Sequence, residues 1–173
     1  MRINPLYNYP VLQRVTNADG TRFYSDPTDG YPLPSVTTIL SGTSDKTAIN
    51  EWVQAVGQKV ADRTRIEATN LGTLMHTNIE NHIMGIPRPG GMHPIRQQAS
   101  KMADQIIQHG LCHVDEVWGQ EVGMYYPGLY AGTTDLVGVH RGEPAIMDHK
   151  SAKKLRTREM IDDYMDQMCA YAL

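Results

Sequence analysis

Cysteine is scarce in this chain. Cys112 and Cys169 stand far apart and outside any CxxC pair. Two such thiols cannot build a disulfide framework, a four-cysteine zinc site or a four-cysteine iron–sulfur cluster. Long apolar runs are missing as well: none approaches the ~20 residues that a membrane-spanning helix needs. The opening MRINPLYNYP has neither an apolar core segment nor an Arg-rich amphipathic pattern, so no signal or transit peptide is expected and the cytoplasm is the expected compartment. Internal repeats and low-complexity segments are absent. Positive charge is not in excess either: the net charge is −3, which argues against a general nucleic-acid coat.

What is present is the composition of a globular chain. Its 173 residues are 40% hydrophobic and 20% charged, with a mean hydropathy of −0.42. That length suits one domain, which buries about 70% of its unfolded surface without needing a metal or disulfide to fold. Charge is unevenly spread. Residues 1–110 carry ten Lys/Arg against nine Asp/Glu, whereas residues 111–173 carry six against ten. Inside the acidic part lies a basic strip: Lys150, Lys153, Lys154, Arg156 and Arg158.

Five of the ten prolines fall in residues 1–34, with turn pairs at Asp19-Gly20 and Asp29-Gly30 around a short Arg22–Tyr24 hairpin arm. From Thr43 the pattern becomes helical. Ser44 or Asp45 is placed to cap a helix bearing Ile49, Trp52, Val53, Val56 and Val60 at spacings of three and four. A second helix is expected over 69–84, closed by Gly85, and a third from Pro94 to His109, followed by Gly110. Val114–Met124, Tyr130–His140 and Ala145–Lys150 read as strands, with a tight turn at 141–143, and a final helical pattern fills 157–173. The fold class is therefore α+β: a mostly antiparallel or mixed sheet flanked by helices and preceded by a helical segment. One domain is expected, divided into an arm (1–42), a helical segment (43–110) and a core (111–173). The helical pattern runs to Leu173 without a stop signal, which suggests a C-terminally incomplete chain. Trp52 and Trp118 read as core, and Tyr7, Tyr9 and Tyr24 as exposed rings able to stack on bases.

The candidate chemistry lies in Gly132-Thr133-Thr134-Asp135 and Asp148-His149-Lys150. Alternation along a strand puts Asp148 and Lys150 on one side. The turn at 141–143 folds the preceding strand back so that Asp135 comes level with Asp148, and Glu121 on the strand before can join them. Mg²⁺ prefers oxygen ligands and usually takes one or two carboxylates, leaving positions for water and phosphate. Paired acids with a nearby lysine therefore suit metal-assisted phosphodiester hydrolysis.

With Gln167 and Tyr171 following as QxxxY, the stretch from Gly132 resembles the RecB-like branch of the PD-(D/E)xK nuclease superfamily. Gly72-Thr73-Leu74-Met75-His76 with Glu80 is similar to that branch's upstream histidine helix, and His76, Ile79, Glu80 and Ile83 share one helical face. Tyr31 to Leu40, containing PSVTTIL, resembles the leading segment of phage exonucleases related to the mitochondrial genome maintenance exonuclease.

The resemblance implies a restriction-endonuclease-like core and a metal-dependent DNA exonuclease using Mg²⁺ or Mn²⁺. Asp135 and Asp148 would be metal ligands and Lys150 the catalytic lysine. His76 and the main-chain carbonyl of His149 would be further ligands, with Glu121 loosely matched as another. Glu80, Ser35, Thr37, Lys153, Lys154, Gln167 and Tyr171 would support the site or contact DNA that is single-stranded or has a free end. The family's strand after the QxxxY helix is missing here, as are the cysteines of its iron–sulfur members. A structure-selective or restriction-like endonuclease on the same core, and a non-catalytic DNA-end-binding protein, are the alternatives. His82, His93, His109, His113 and His140 lack such context, and the ten methionines read as core filler.

Overall fold

The computed structural model describes residues 1–152, 154 and 156–173. They form two compact units: a sheet unit of Met1–Ser44, Val114–Asp148 and Lys154–Leu173, and a helical unit of Asp45–His113 with His149–Lys153. The architecture is α+β. Among the described residues, no helix is long and apolar enough to cross a membrane.

The sheet unit holds two sheets. A three-stranded antiparallel sheet is made of β1 (Arg14–Thr16), β2 (Arg22–Ser25) and β3 (Pro32–Pro34), in that order. The expected hairpin arm is thus extended by a third strand. The larger sheet runs through β4 (Val114–Tyr126), β5 (Tyr130–His140) and β6 (Glu143–Met147), all antiparallel. Arg2–Ile3 adds a short parallel strand on the free side of β4, so the sheet is mixed. Beyond Ile3 the chain crosses β4 at two glycines. A Cβ added to Gly119 would stand 2.7 Å from the Tyr9 ring, and one added to Gly123 would stand 2.8 Å from the Pro10 carbonyl oxygen. Glu116 anchors this arm: its carboxylate accepts from Arg2, from Asn4 Nδ2 (2.8 Å) and from Trp118 Nε1 (2.8 Å).

The sequence pattern puts residues 36–42 in the loop-and-hairpin arm, yet Val36–Thr43 forms helix α1. Its cap is local: Ser35 Oγ accepts from the Thr38 N–H at 3.0 Å. Helix α2 (Asp162–Ala172) starts with Asp162 and Asp163, favourable at the positive end of the helix dipole. Asp163 also accepts from Ser44 Oγ at 2.8 Å, tying α1 to α2. Neither Ser44 nor Asp45 is the cap of the helix that follows: Lys46 holds that position without a side-chain bond, and Asp45 accepts from the Thr47 N–H at 2.8 Å from just before it.

The helical unit contains α3 (Thr47–Val56), α4 (Gln58–Met84) and α5 (Pro94–His109). The break expected after Val60 falls at Gly57 instead, at φ 83°, where an L side chain would be strained. No glycine or proline stands between 58 and 71, so the helix expected at 69 begins eleven residues earlier. Leu71, Met75, Ile79 and Ile83 of α4 are buried, as are Ala99 and Ala103 of α5. These alanines are small enough to let the two packed helices approach closely. Gly110 follows α5 in a right-handed conformation, so its role is steric: a Cβ there would sit 2.9 Å from the Ile106 carbonyl oxygen.

Two aromatic expectations are reversed. Trp52 remains 39% exposed, because α3 buries none of its side chains fully. Tyr24 is only 5% exposed, packed with Leu33 and Ala131 where β2 meets the larger sheet.

Asp26 joins the turns of the two sheets. Its carboxylate accepts from the Thr28 N–H (2.8 Å) and the Gly128 N–H (3.1 Å), and these bonds hold its pKa below the usual value. A carboxylate with a depressed folded-state pKa stabilises the fold above its unfolded value of about 4. That contribution disappears as pH falls through the lower, folded value. Asp26→Asn is expected to lower the melting temperature at pH 7, and the gap to the parent should close progressively below about pH 4. A pH series of thermal melts checks this; a gap independent of pH would contradict it.

Candidate functional site

The site starts from a two-residue turn. Arg141 (φ 53°) and Gly142 (φ 83°) both adopt positive φ between the paired His140 and Glu143, the backbone pattern of a type I′ hairpin. This turn sets the β5–β6 register, whose last pair is Leu136 with Met147. One residue further along, Asp135 and Asp148 occupy the next matching positions. On the other side of β5, Gln120 pairs with Leu136 and Val122 with Thr134, which places Glu121 opposite Asp135. Glu121 and Asp135 are therefore neighbours in one row across β4 and β5, and Asp148 follows directly after the last paired residue at its end.

Glu121 is unusual within this row. It is exposed and has φ 49° in the middle of β4, a left-handed conformation that costs a non-glycine residue roughly 1–2 kcal/mol. One of its carboxylate oxygens lies within 4.8 Å of one of Asp135. Two unit charges about 4 Å apart repel by about 1 kcal/mol in water and about 4 kcal/mol at the effective dielectric near a protein surface. Two carboxylates with this repulsion fit a divalent cation, which would offset it.

Each residue leading into Asp135 is tied to a different element. Gly132 receives the ring of Tyr171, and a Cβ there would fall 2.5 Å from Tyr171 Cε1. The Thr133 hydroxyl contacts the Tyr24 hydroxyl at 3.3 Å, and Thr134 Oγ1 donates to the Met147 carbonyl at 3.0 Å. Gln167 and Tyr171 are both buried on α2, and Gln167 Nε2 donates to the Tyr171 hydroxyl at 3.2 Å. Burial pushes the Tyr171 phenol up to about 12; Tyr24 and the Asp148 carboxylate act in the same direction, against hydrogen bonds from Gln167 and the Thr133 backbone.

The expected strand over Ala145–Lys150 stops at Met147, so alternation no longer relates Asp148 to Lys150. One physical cause acts there: the Met147 carbonyl is taken by the Thr134 hydroxyl. Asp148 belongs to the sheet unit, whereas His149 and the exposed Lys150 belong to the helical unit. There the segment follows α4. The His149 and His76 rings are 6.3 Å apart, edge to face, and a Cβ on Gly72 would meet Ser151 Oγ at 3.5 Å. His76 and Glu80 are half-buried one turn apart on α4.

The remaining sequence candidates are placed as follows. Ser35 is buried and its hydroxyl serves the α1 cap, 3.0 Å from Thr37 Oγ1. Of the basic strip, Lys154 is exposed, and Lys153 lies outside the described residues. Arg158 is ion-paired with Asp162, and Arg156 lies 5.3 Å over the Tyr164 ring, so both are already engaged. Sequence reading missed Tyr24 and Thr133 as neighbours of the acids. The only signal was the run Gly132-Thr133-Thr134 directly before Asp135. No protein-family model matches the chain, and no curated protein is significantly similar to it.

Gly132→Ala tests the seating of Tyr171. Its φ is not in the left-handed region, so any cost comes from collision with the ring. Such overpacking is expected to destabilise the chain by about 1–3 kcal/mol. Adding Tyr171→Ala should be less than additive, because the second change vacates the contested space. Urea denaturation of the four species measures this, and strict additivity would mean that the two residues do not compete.

Proposed function

We propose that this chain is a metal-dependent DNA exonuclease with a restriction-endonuclease-like core of the RecB-like kind. The observation that carries the reading is the pairing of Glu121 with Asp135 in one row, with Asp148 directly after the last paired residue of β6 and Lys150 two residues on. The buried Gln167–Tyr171 pair, packed on the same β-strand as Asp135, supports it.

In this reading Asp135 and Asp148 hold Mg²⁺ or Mn²⁺, with Glu121 completing the sheet side. His76 and the main-chain carbonyl of His149 are assigned as further ligands, as the resemblance implies. A bound divalent ion supplies charge stabilisation at phosphate and lowers the pKa of a coordinated water. Lys150 Nζ orients the attacking water or neutralises charge building on the phosphoryl oxygens. Tyr171 and Gln167 keep the Asp135 strand in place through Gly132 and Thr133. Lys154 contributes charge toward the phosphate backbone, and Lys153 is assigned the same role.

Linear end-labelled single-stranded DNA should be shortened to small products in Mg²⁺, while a covalently closed circle of the same sequence should survive. Rapid cutting of the circle would replace this reading with the endonuclease one. DNA binding without cleavage would replace it with the end-binding one.

Asp135→Asn and Asp148→Asn should each abolish cleavage while leaving DNA binding equal or tighter, because a negative charge facing phosphate is removed. Activity retained in both variants would defeat the mechanism. Salt dependence separates the cations. Lys154→Ala should flatten the log–log slope of affinity against salt by about 0.7 if that lysine meets one phosphate of a single strand. Arg158→Ala should leave the slope near that of the parent, since Asp162 already engages this guanidinium.

A further inference from the structure

We infer that Tyr24 is a positioning residue for the acidic row: through the Thr133 hydroxyl it holds the β-strand backbone on which Asp135 sits. The inference rests on the metal site proposed above. Tyr24 reaches this place from the small three-stranded sheet. Its ring is buried against Leu33 and Ala131, which leaves the hydroxyl as its one polar group, and that hydroxyl is directed at Thr133. The neighbouring Gly132 is held by Tyr171, whose ring fills the space a Cβ there would need. With Gly132 closed by the Tyr171 ring and Thr134 bonded to Met147, three successive residues before Asp135 are restrained by α2, β2 and β6 respectively.

Metal affinity depends on such support. Ligands held in place by neighbouring hydrogen bonds do not pay an ordering cost when the ion arrives, and losing that support weakens binding. The Tyr24–Thr133 contact is long for two hydroxyls, so a modest effect is expected. A Tyr24 acting only as core filler would give a different result, because phenylalanine fills the same space.

The test uses the full chain without DNA and titrates Mn²⁺ by calorimetry. Parent, Tyr24→Phe, Thr133→Val and the double variant are compared, together with their melting temperatures and Mg²⁺ half-saturation for cleavage. Each single change should weaken Mn²⁺ binding about two- to fivefold, the scale of one hydrogen bond. The double should be no weaker than either single, because both remove the same contact. Mg²⁺ half-saturation should rise in parallel, with the KM for DNA unchanged. If Tyr24→Phe does not fold, Thr133→Val breaks the same contact from its other end. A Tyr24→Phe chain that binds Mn²⁺ like the parent overturns the inference and leaves the metal reading standing. A parent that neither binds Mn²⁺ nor cleaves DNA in Mg²⁺ overturns both.

Discussion

The candidate site depends on hairpin register. Strand side chains alternate with a period of two, so slipping β5 against β6 by one residue would move Asp135 away from Asp148 and expose the opposite face. The Arg141-Gly142 turn prevents that slip, because two residues with positive φ fit the twist of the flanking strands and fix which residues pair. The Gly142 N–H also donates to Asp115 at 2.8 Å, which fastens the turn to the start of β4. Every later feature of the acidic row follows from the five-residue step from His140 to Asp135, matched by the five-residue step from Glu143 to Asp148.

Gathering acids in this way opposes folding. Like charges repel, and Glu121 adds a left-handed backbone in the middle of a strand. The surrounding packing offsets this by over-determining β5 from both sides. Ala131 is fully buried and bridges to Ser35, Gly132 is closed by Tyr171, and Thr134 is fully buried with its hydroxyl on Met147. Strain that persists under such restraint is common at sites selected for binding or chemistry. A hard divalent cation is the ligand type that relieves charge crowding of this kind.

Much of the architecture was legible from residue pattern. Tyr130–His140 is a strand with the bounds that alternation and its flanking turns indicate, and Pro94–His109 is a helix starting at proline, where the missing N–H costs nothing. The level pairing of Asp135 with Asp148 follows from counting residues around a recognisable turn. Helix α1 was hidden because eight residues are too few to show a period, and its Ser35 cap sits in a proline-rich stretch that reads as loop. The Gly57 break was misplaced because apolar spacing continues through Val60, whereas backbone strain, not hydrophobicity, decides where the helix stops.

The sequence by itself determined the α+β class, the order of the main elements, and which acids could meet, because periodicity and turn chemistry are local properties. Tertiary structure alone decided that Tyr24 is buried beside Thr133, that Tyr171 occupies the space left by Gly132, and that the strand ends before Lys150. Those outcomes depend on contacts between segments as much as 109 residues apart, as Tyr24 and Thr133 are. A side chain's surroundings at that separation are set by how sheets and helices pack, and no local pattern encodes them.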